Sequence, residues 1–251
     1  PDLNDEPHVY RESDGRDLAT IEGYTAQVVG GGTQLYGAVS LRFSEEDFAL
    51  ASFNRGRSLN GDPNGDVARE ARDWPITYAD LEPYYCKTEA LVGINGGIEG
   101  QLKPFSQVNY QRPLAPNPIS EYARSGMLLL GEEYPVRGRN VLPYRTPLAV
   151  ITQDHAPSGR KAGEPRTSYV NRYGDPLGLK SNTWVSLLAP VSKLSNFQIW
   201  PNTVVTELRC NSELVTQVVY RDPAGRERTV SGKIIVVACS AIESVRLLLL
   251  S

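Results

Sequence analysis

The chain has 251 residues, 40% apolar and 22% charged, with a formal net charge of −3. That is enough chain for a sizeable core in one large or two small domains, and its charge lacks the basic excess that nucleic-acid binding requires. No apolar run approaches the ~20 residues of a membrane-spanning helix and no signal-peptide pattern opens the sequence, so it reads as a soluble, loop-rich globular chain.

The first residue is Pro1, which reads as a processed, engineered or incomplete amino terminus. Cys86, Cys210 and Cys239 are odd in number and share no metal-ligand spacing, which argues against a disulfide framework or a zinc site. The histidines, His8 and His155, stand in polar surroundings and read as solvated side chains rather than catalytic bases.

In chain order, residues 1–25 read as a polar arm. Val28-Val29 then runs into Gly30-Gly31-Gly32, followed by Thr33, Gln34, a second break at Gly37-Ala38 and an apolar run to Phe43. Three successive glycines weaken any helix or strand interior. They suit either an ordinary surface turn or a backbone passing close to a flat or anionic group. Ser44-Glu45-Glu46-Asp47 reads as a capped helix start with an acidic first turn. Residues 54–72 are turn-rich and read as a surface loop.

Trp74-Pro75-Ile76-Thr77 introduces the strongest helix signal, with Thr77 as cap, Asp80 three residues on and Gly93 as terminator. Its expected core stripe is Leu81, Tyr84 or Tyr85, Thr88 and Leu91-Val92. A second helix is expected over Ile119–Leu130, ending near Gly131, and a solvated basic loop over 154–166. Gly178-Leu179-Lys180-Ser181 superficially suggests a phosphate loop, but its glycine spacing excludes GxxxxGK[ST].

From residue 196 the pattern turns to β. Gln198–Trp200, Val204–Arg209, Val215–Tyr220 and Glu227–Val230 read as an antiparallel meander with a turn at Asp222–Gly225. Lys233–Ala238 reads as a buried parallel strand, and Cys239–Ser244 as the turn into a closing helix. A strand feeding a small-residue turn into a helix N-terminus suits a nucleotide.

VGGGTQLYGAVSLRFSEEDF, followed by WPITYADLEPYYCKTEALVGINGG, resembles the glucose–methanol–choline flavoprotein oxidoreductases. The likeness is greatest to the branch with sugar and gluconate dehydrogenases and glycoside oxidases. Tyr110–Pro116 resembles the family's proline-rich approach to the substrate region, Arg172–Ser181 its GC..GAKSS segment, and Lys233–Ser251 its VVLAAGAIESPRLLLLS. Two departures stand out: Ser240 replaces a family glycine, and Gln34–Ala38 replaces a loop that often reads Asn-x-Trp-Gly-Gly.

The resemblance implies an α/β fold with an α+β insertion, part of an FAD-binding Rossmann-like domain that is incomplete without N- and C-terminal segments. Residues 1–53 would carry the glycine loop, 54–190 a cap or substrate-side insertion, and 191–251 the meander, buried strand and closing helix. The cofactor would be FAD, contacted by Gly30, Gly31, Gly32, Thr33, Gln34, Gly37, Ala38, Val204, Val205, Ala238, Cys239, Ser240 and Glu243. No metal ligand is expected. The family's G-x-G-x-x-G unit is missing from this sequence, and its catalytic histidine is expected beyond Ser251, so other polypeptide would supply both.

The implied activity is hydride transfer from a sugar or alcohol CH–OH group to flavin, with this chain alone inactive. The alternative is a non-catalytic, degenerate partner subunit kept for assembly.

Overall fold

The computed structural model describes residues 8–20, 26–55, 71–101, 103–135, 140, 142–163 and 175–251. They fall into two compact units: residues 33–191, and residues 1–32 together with 192–251.

The first of these units is helical and loop-rich. Two short helices, α1 (Glu45–Phe48) and α2 (Leu50–Asn54), follow the glycine stretch. Asp47 Oδ2 accepts from the Ser44 N–H at 2.6 Å and closes the first turn of α1. Helix α3 (Tyr78–Val92) begins where the sequence places it: Thr77 accepts from Asp80 N–H, Asp80 reaches back to Thr77, and Gly93 ends the helix in the left-handed region at φ 78°. A side chain at Gly93 would also collide with Ile151, whose Cγ2 lies 2.8 Å from the Cβ position. Helix α4 (Pro118–Glu133) starts at the Asn117 cap and runs through Gly131, which is buried, instead of stopping there. The π-helical turn Trp184–Leu188 leads directly into Ala189–Val191, together α5.

The buried face of α3 is not the expected stripe. Tyr84 and Leu91 are exposed, and the sealed positions are Tyr78, Glu82, Cys86 and Glu89, all on one face. Arg42 is the reason. It is 2% exposed and lies against that face, with Nε and Nη2 on the two Glu89 oxygens at 2.7 and 2.6 Å. Its Nη1 reaches Glu82 Oε1 at 2.9 Å and Tyr78 Oη at 3.0 Å, and the Phe105 ring centroid lies 4.2 Å from Cζ. A buried cation requires paired carboxylates, so polar residues take the helical spacing that apolar ones would otherwise have.

Beside this cluster, short extended segments make an irregular core of Ala38, Ile94, Ala149, Val150, Ile151 and Leu179. Ala149 N–H donates to Ala38 O and Ser181 N–H to Ala149 O, each at 2.7 Å, so residue 149 links the glycine-loop segment to the 178–181 segment. His155 is not solvated: it is 5% exposed, with Nε2 2.8 Å from Ala90 O and Nδ1 2.7 Å from Ser158 Oγ. Most of the expected 54–72 loop, and residues 164–166 of the 154–166 loop, lie outside the described residues.

In the other unit, the expected polar arm holds a hairpin, β1 (His8–Arg11) paired antiparallel with β2 (Asp17–Thr20). The meander is present as β3 (Val204–Asn211), β4 (Leu214–Arg221) and β5 (Glu227–Ser231), in the order β3-β4-β5 and all antiparallel. Asp222 Oδ1 accepts from the Ala224 and Arg226 N–H groups and shapes the β4–β5 turn. Helix α6 (Ala241–Leu249) packs on this sheet through Leu247, with Leu208 and Val219 buried alongside.

Two β expectations are corrected. Gln198–Trp200 forms no ladder, and neither does Lys233–Ala238, where Ile234 is 85% and Val236 80% exposed. A strand buried on both faces needs strands on either side. No described residue supplies one to this segment.

Candidate functional site

The glycine stretch turns sharply. Gly30 and Gly31 hold φ of 102° and 55°, Gly31 N–H donates to Val28 O at 2.8 Å, and a single 3-10 turn covers Gly31–Gln34. A Cβ placed on Gly31 or Gly32 would meet no atom within 4 Å, so these glycines border open space. The left-handed φ of Gly30 and Gly31 suits glycine; internal packing does not require it at Gly31 or Gly32.

The next residues are tied, one after another, to the segment 180–183. Thr33 Oγ1 accepts from the Thr183 N–H at 2.9 Å and lies 3.2 Å from Thr183 Oγ1. Asn182 Nδ2 donates to Gln34 Oε1 at 3.1 Å. Tyr36 Oη donates to Ser181 O at 2.6 Å, and Lys180 Nζ donates to Gln34 O and Tyr36 O at 3.0 and 3.1 Å. Lys180 and Ser181 have no exposed surface. Burial pushes the Tyr36 hydroxyl up to about 12, against the opposing Arg160 charge, so it stays a neutral donor. Burial also lowers the Lys180 ammonium from its ordinary value, while Asp175 opposes the shift.

Between this layer, α3 and α5 lies a cavity of about 260 Å³. Its wall is mainly apolar at Leu41, Val92, Ile94, Ala149 and Leu187, with hydroxyls at Thr33, Thr183 and Ser186. Ser186 is 4% exposed and its Oγ has no hydrogen-bond partner among the described residues. It belongs to the π-helical turn, a distortion that recurs at functional sites. Arg42 and Glu89 close one side of the cavity. Burial opposes the Arg42 charge, but its bonds to Glu89, Tyr78, Cys86 and Glu82 outweigh that and hold the guanidinium above its ordinary value. The hydrogen bonds of Ser106 and Cys86 hold the Glu82 carboxyl down at about 2. A second cavity of about 240 Å³ is lined by Arg112–Ala115, Thr152 and Leu179, beside the proline-rich stretch.

Of the residues singled out from sequence, Thr33, Gln34, Gly37 and Ala38 are thus gathered with 180–183 in one unit. Ala38 has no exposed surface and holds φ 63°, a left-handed conformation in a non-glycine residue. Gly30, Gly31 and Gly32 belong to the other unit, as do the remaining positions. Val204 and Val205 open β3, opposite Arg221 and Tyr220, with Val204 57% exposed. Ala238, Cys239 and Ser240 form the exposed turn before α6, where Ser244 Oγ accepts from the Cys239 N–H at 3.2 Å. Ser240 holds φ 72°, and Glu243 pairs with Arg246 at 2.7 Å.

Lys180, Asn182 and Thr183 are absent from the sequence-derived set. Their partners lie 144–150 positions away, and no local spacing reveals them. Arg42 could have been flagged, since a lone charge between Leu41 and Phe43 in an apolar run implies a buried partner.

No protein-family model matches the chain. Among curated proteins it is 33% identical to paromamine 6'-oxidase of Streptomyces fradiae, with 100% of this chain aligned to 42% of that protein. It is 31% identical to 6'''-hydroxyparomomycin C oxidase of Streptomyces lividus, over 95% of this chain and 40% of that one. Fructose dehydrogenase large subunit of Gluconobacter japonicus is 26% identical, over 89% of this chain and 36% of its own. The chain therefore spans about two-fifths of the length of oxidases and a dehydrogenase to which it is similar across nearly all of its own length.

Proposed function

We propose that this chain is a section of an FAD-dependent oxidoreductase of the glucose–methanol–choline type, oxidising a CH–OH group of a sugar, amino sugar or related alcohol. The observation that carries this reading is the glycine turn. Gly31 and Gly32 border open space, and the residues that follow are held rigidly by 180–183. A planar cofactor needs such a surface: backbone that can be approached closely, with no side chain to displace and little conformational entropy left to lose. The similarity to paromamine 6'-oxidase, 6'''-hydroxyparomomycin C oxidase and a fructose dehydrogenase large subunit supports the same reading from outside the structure.

In this reading Gly30, Gly31, Gly32, Thr33, Gln34 and Gly37 present backbone and hydroxyl groups to the flavin, with Ala38, which has no exposed surface, supporting them from behind. Val204, Val205, Ala238, Cys239, Ser240 and Glu243 serve the nucleotide end. Bound flavin supplies the hydride acceptor, chemistry that no side chain can provide. The chain's own part is to bind, orient and exclude water. The proton of the substrate hydroxyl is left to a histidine outside these residues, on other polypeptide that also brings the G-x-G-x-x-G unit.

The test is to purify the full-length gene product and record its visible absorbance. It is then mixed without oxygen with a panel of hexoses, amino sugars and aminoglycosides carrying a free primary alcohol. Flavin bands that bleach with at least one of these support the proposal. A protein that takes up no FAD when supplied with it refutes it.

A further inference from the structure

We propose that Lys180 is the positioning residue of the cofactor loop: with Ser181–Thr183 it holds residues 33–37 in the one backbone arrangement that flavin binds. This deepens the flavin reading above and rests on it.

The inference starts from where the charge is. Lys180 has no exposed surface, and an ammonium taken out of water destabilises a fold unless its three protons are used. Two of them are used on backbone: Nζ donates to the carbonyls of Gln34 and Tyr36, two residues of one turn, and lies 5.7 Å from the Tyr36 ring centroid. A carbonyl that accepts from a fixed ammonium fixes its whole peptide plane. The Tyr36–Gly37 peptide is trans, so drawing the Tyr36 oxygen toward Nζ turns the Gly37 N–H to the opposite side. Lys180 thereby sets the direction of a backbone donor that it never touches.

Its neighbours act on the same loop in register. Ser181 O takes the Tyr36 hydroxyl, Asn182 holds the Gln34 amide, and Thr183 N–H holds Thr33 Oγ1. Four consecutive residues of one segment each engage the same short turn, and the Lys180 N–H is itself fixed by Asp175 Oδ2 at 2.6 Å. Loops that bind tightly need their entropy removed in advance, and a buried charge-assisted clamp removes it.

The experiment uses the full-length gene product and the variant Lys180→Met, which keeps most of the side chain's length and removes the donors. Two quantities are read: amide hydrogen exchange over residues 33–38 without cofactor, and the dissociation constant for FAD by flavin fluorescence. Loss of two charge-assisted hydrogen bonds should raise both by roughly 10-fold or more. In Lys180→Ala, added ethylammonium should restore FAD binding, which filling of volume alone would not do. Should Lys180→Met fail to fold, Tyr36→Phe removes the bond to Ser181 and should show the same two changes at smaller size.

Wild-type FAD affinity in Lys180→Met, with or without faster exchange, overturns the proposal. A wild-type protein with no affinity for FAD sinks instead the function proposed above. The exchange measurement then decides alone whether Lys180 orders the loop.

Discussion

Arg42 and Glu89 form a two-pronged ion pair, at 2.7 and 2.6 Å, with side chains only 1% and 4% exposed. Such a pair adds little over a well-packed apolar substitute, yet breaking it strands a charge. Glu89→Ala should therefore destabilise the protein by about 3–5 kcal/mol, and Glu89→Gln, which keeps an acceptor, by less. Urea unfolding of both variants checks the order. Equal and small losses would show that Glu82 alone satisfies the guanidinium.

Glu82 gives the same cluster a pH signature. Its carboxyl is held from an ordinary 4.5 down to about 2, first by Ser106 and Cys86 and then by Arg42. A depressed folded-state value means stability that is fully present above about 4.5 and is lost as the pH falls toward 2. Ser106→Ala, which removes the 2.5 Å bond to Glu82 Oε2, lets the folded-state value rise toward the ordinary one, so the loss should still begin near 4.5 but be smaller and end at a higher pH. Urea midpoints measured between pH 5 and 2.5 would settle it; superimposable profiles for the two proteins would count against the assignment.

Ala38 and Ser240 share a backbone property despite different surroundings: φ of 63° and 72°. For a residue with a Cβ the left-handed region costs about 1–2 kcal/mol, part of which glycine returns through its freer unfolded chain. Ser240 is exposed, so Ser240→Gly should stabilise by about 0.5–1 kcal/mol. Ala38 is fully buried in the core, so Ala38→Gly also loses a packed methyl and should be neutral or slightly destabilising. Thermal melts of both variants give the comparison, and a stabilising Ala38→Gly with a destabilising Ser240→Gly would reverse the argument.

Thr77 and Asp80 cap α3 reciprocally, with Thr77 N–H and Oγ1 both donating to Asp80 Oδ2, at 2.8 and 2.7 Å. Thr77→Ala should cost about 1 kcal/mol and Thr77→Ser far less. Denaturant midpoints measure it; equal losses in the two variants would mean that the hydroxyl is not the cap.

The α3 cap was legible because a capping box is local: Thr77, Asp80 and Gly93 state both ends of the helix by themselves. The β3–β5 meander was legible for the same reason, since Asp222–Gly225 fixes a turn between two alternating runs. What lay hidden is whatever depends on distant residues. The buried face of α3 belongs to Arg42, outside the helix, so apolar periodicity pointed to the wrong side. His155 looked solvated because its partner Ala90 O comes from the end of a helix far back in the chain. Lys233–Ala238 has the composition of a buried strand, but composition does not provide neighbours for it. In the candidate site the glycines were visible, and the 180–183 segment that holds Thr33, Gln34 and Tyr36 was not.

The Thr33–Thr183 contact joins residues 150 positions apart, and this separation carries a consequence for how the protein is made. On a ribosome adding roughly 5–20 residues per second, the nascent glycine loop emerges about 8–30 s before the segment that shapes it. During that interval the loop has no template, and Arg42 has just preceded the helix carrying its carboxylates. The nascent chain therefore passes through a stage at which chaperones and proteases can reach this turn, and the addition of Lys180 to Thr183 brings that stage to its end.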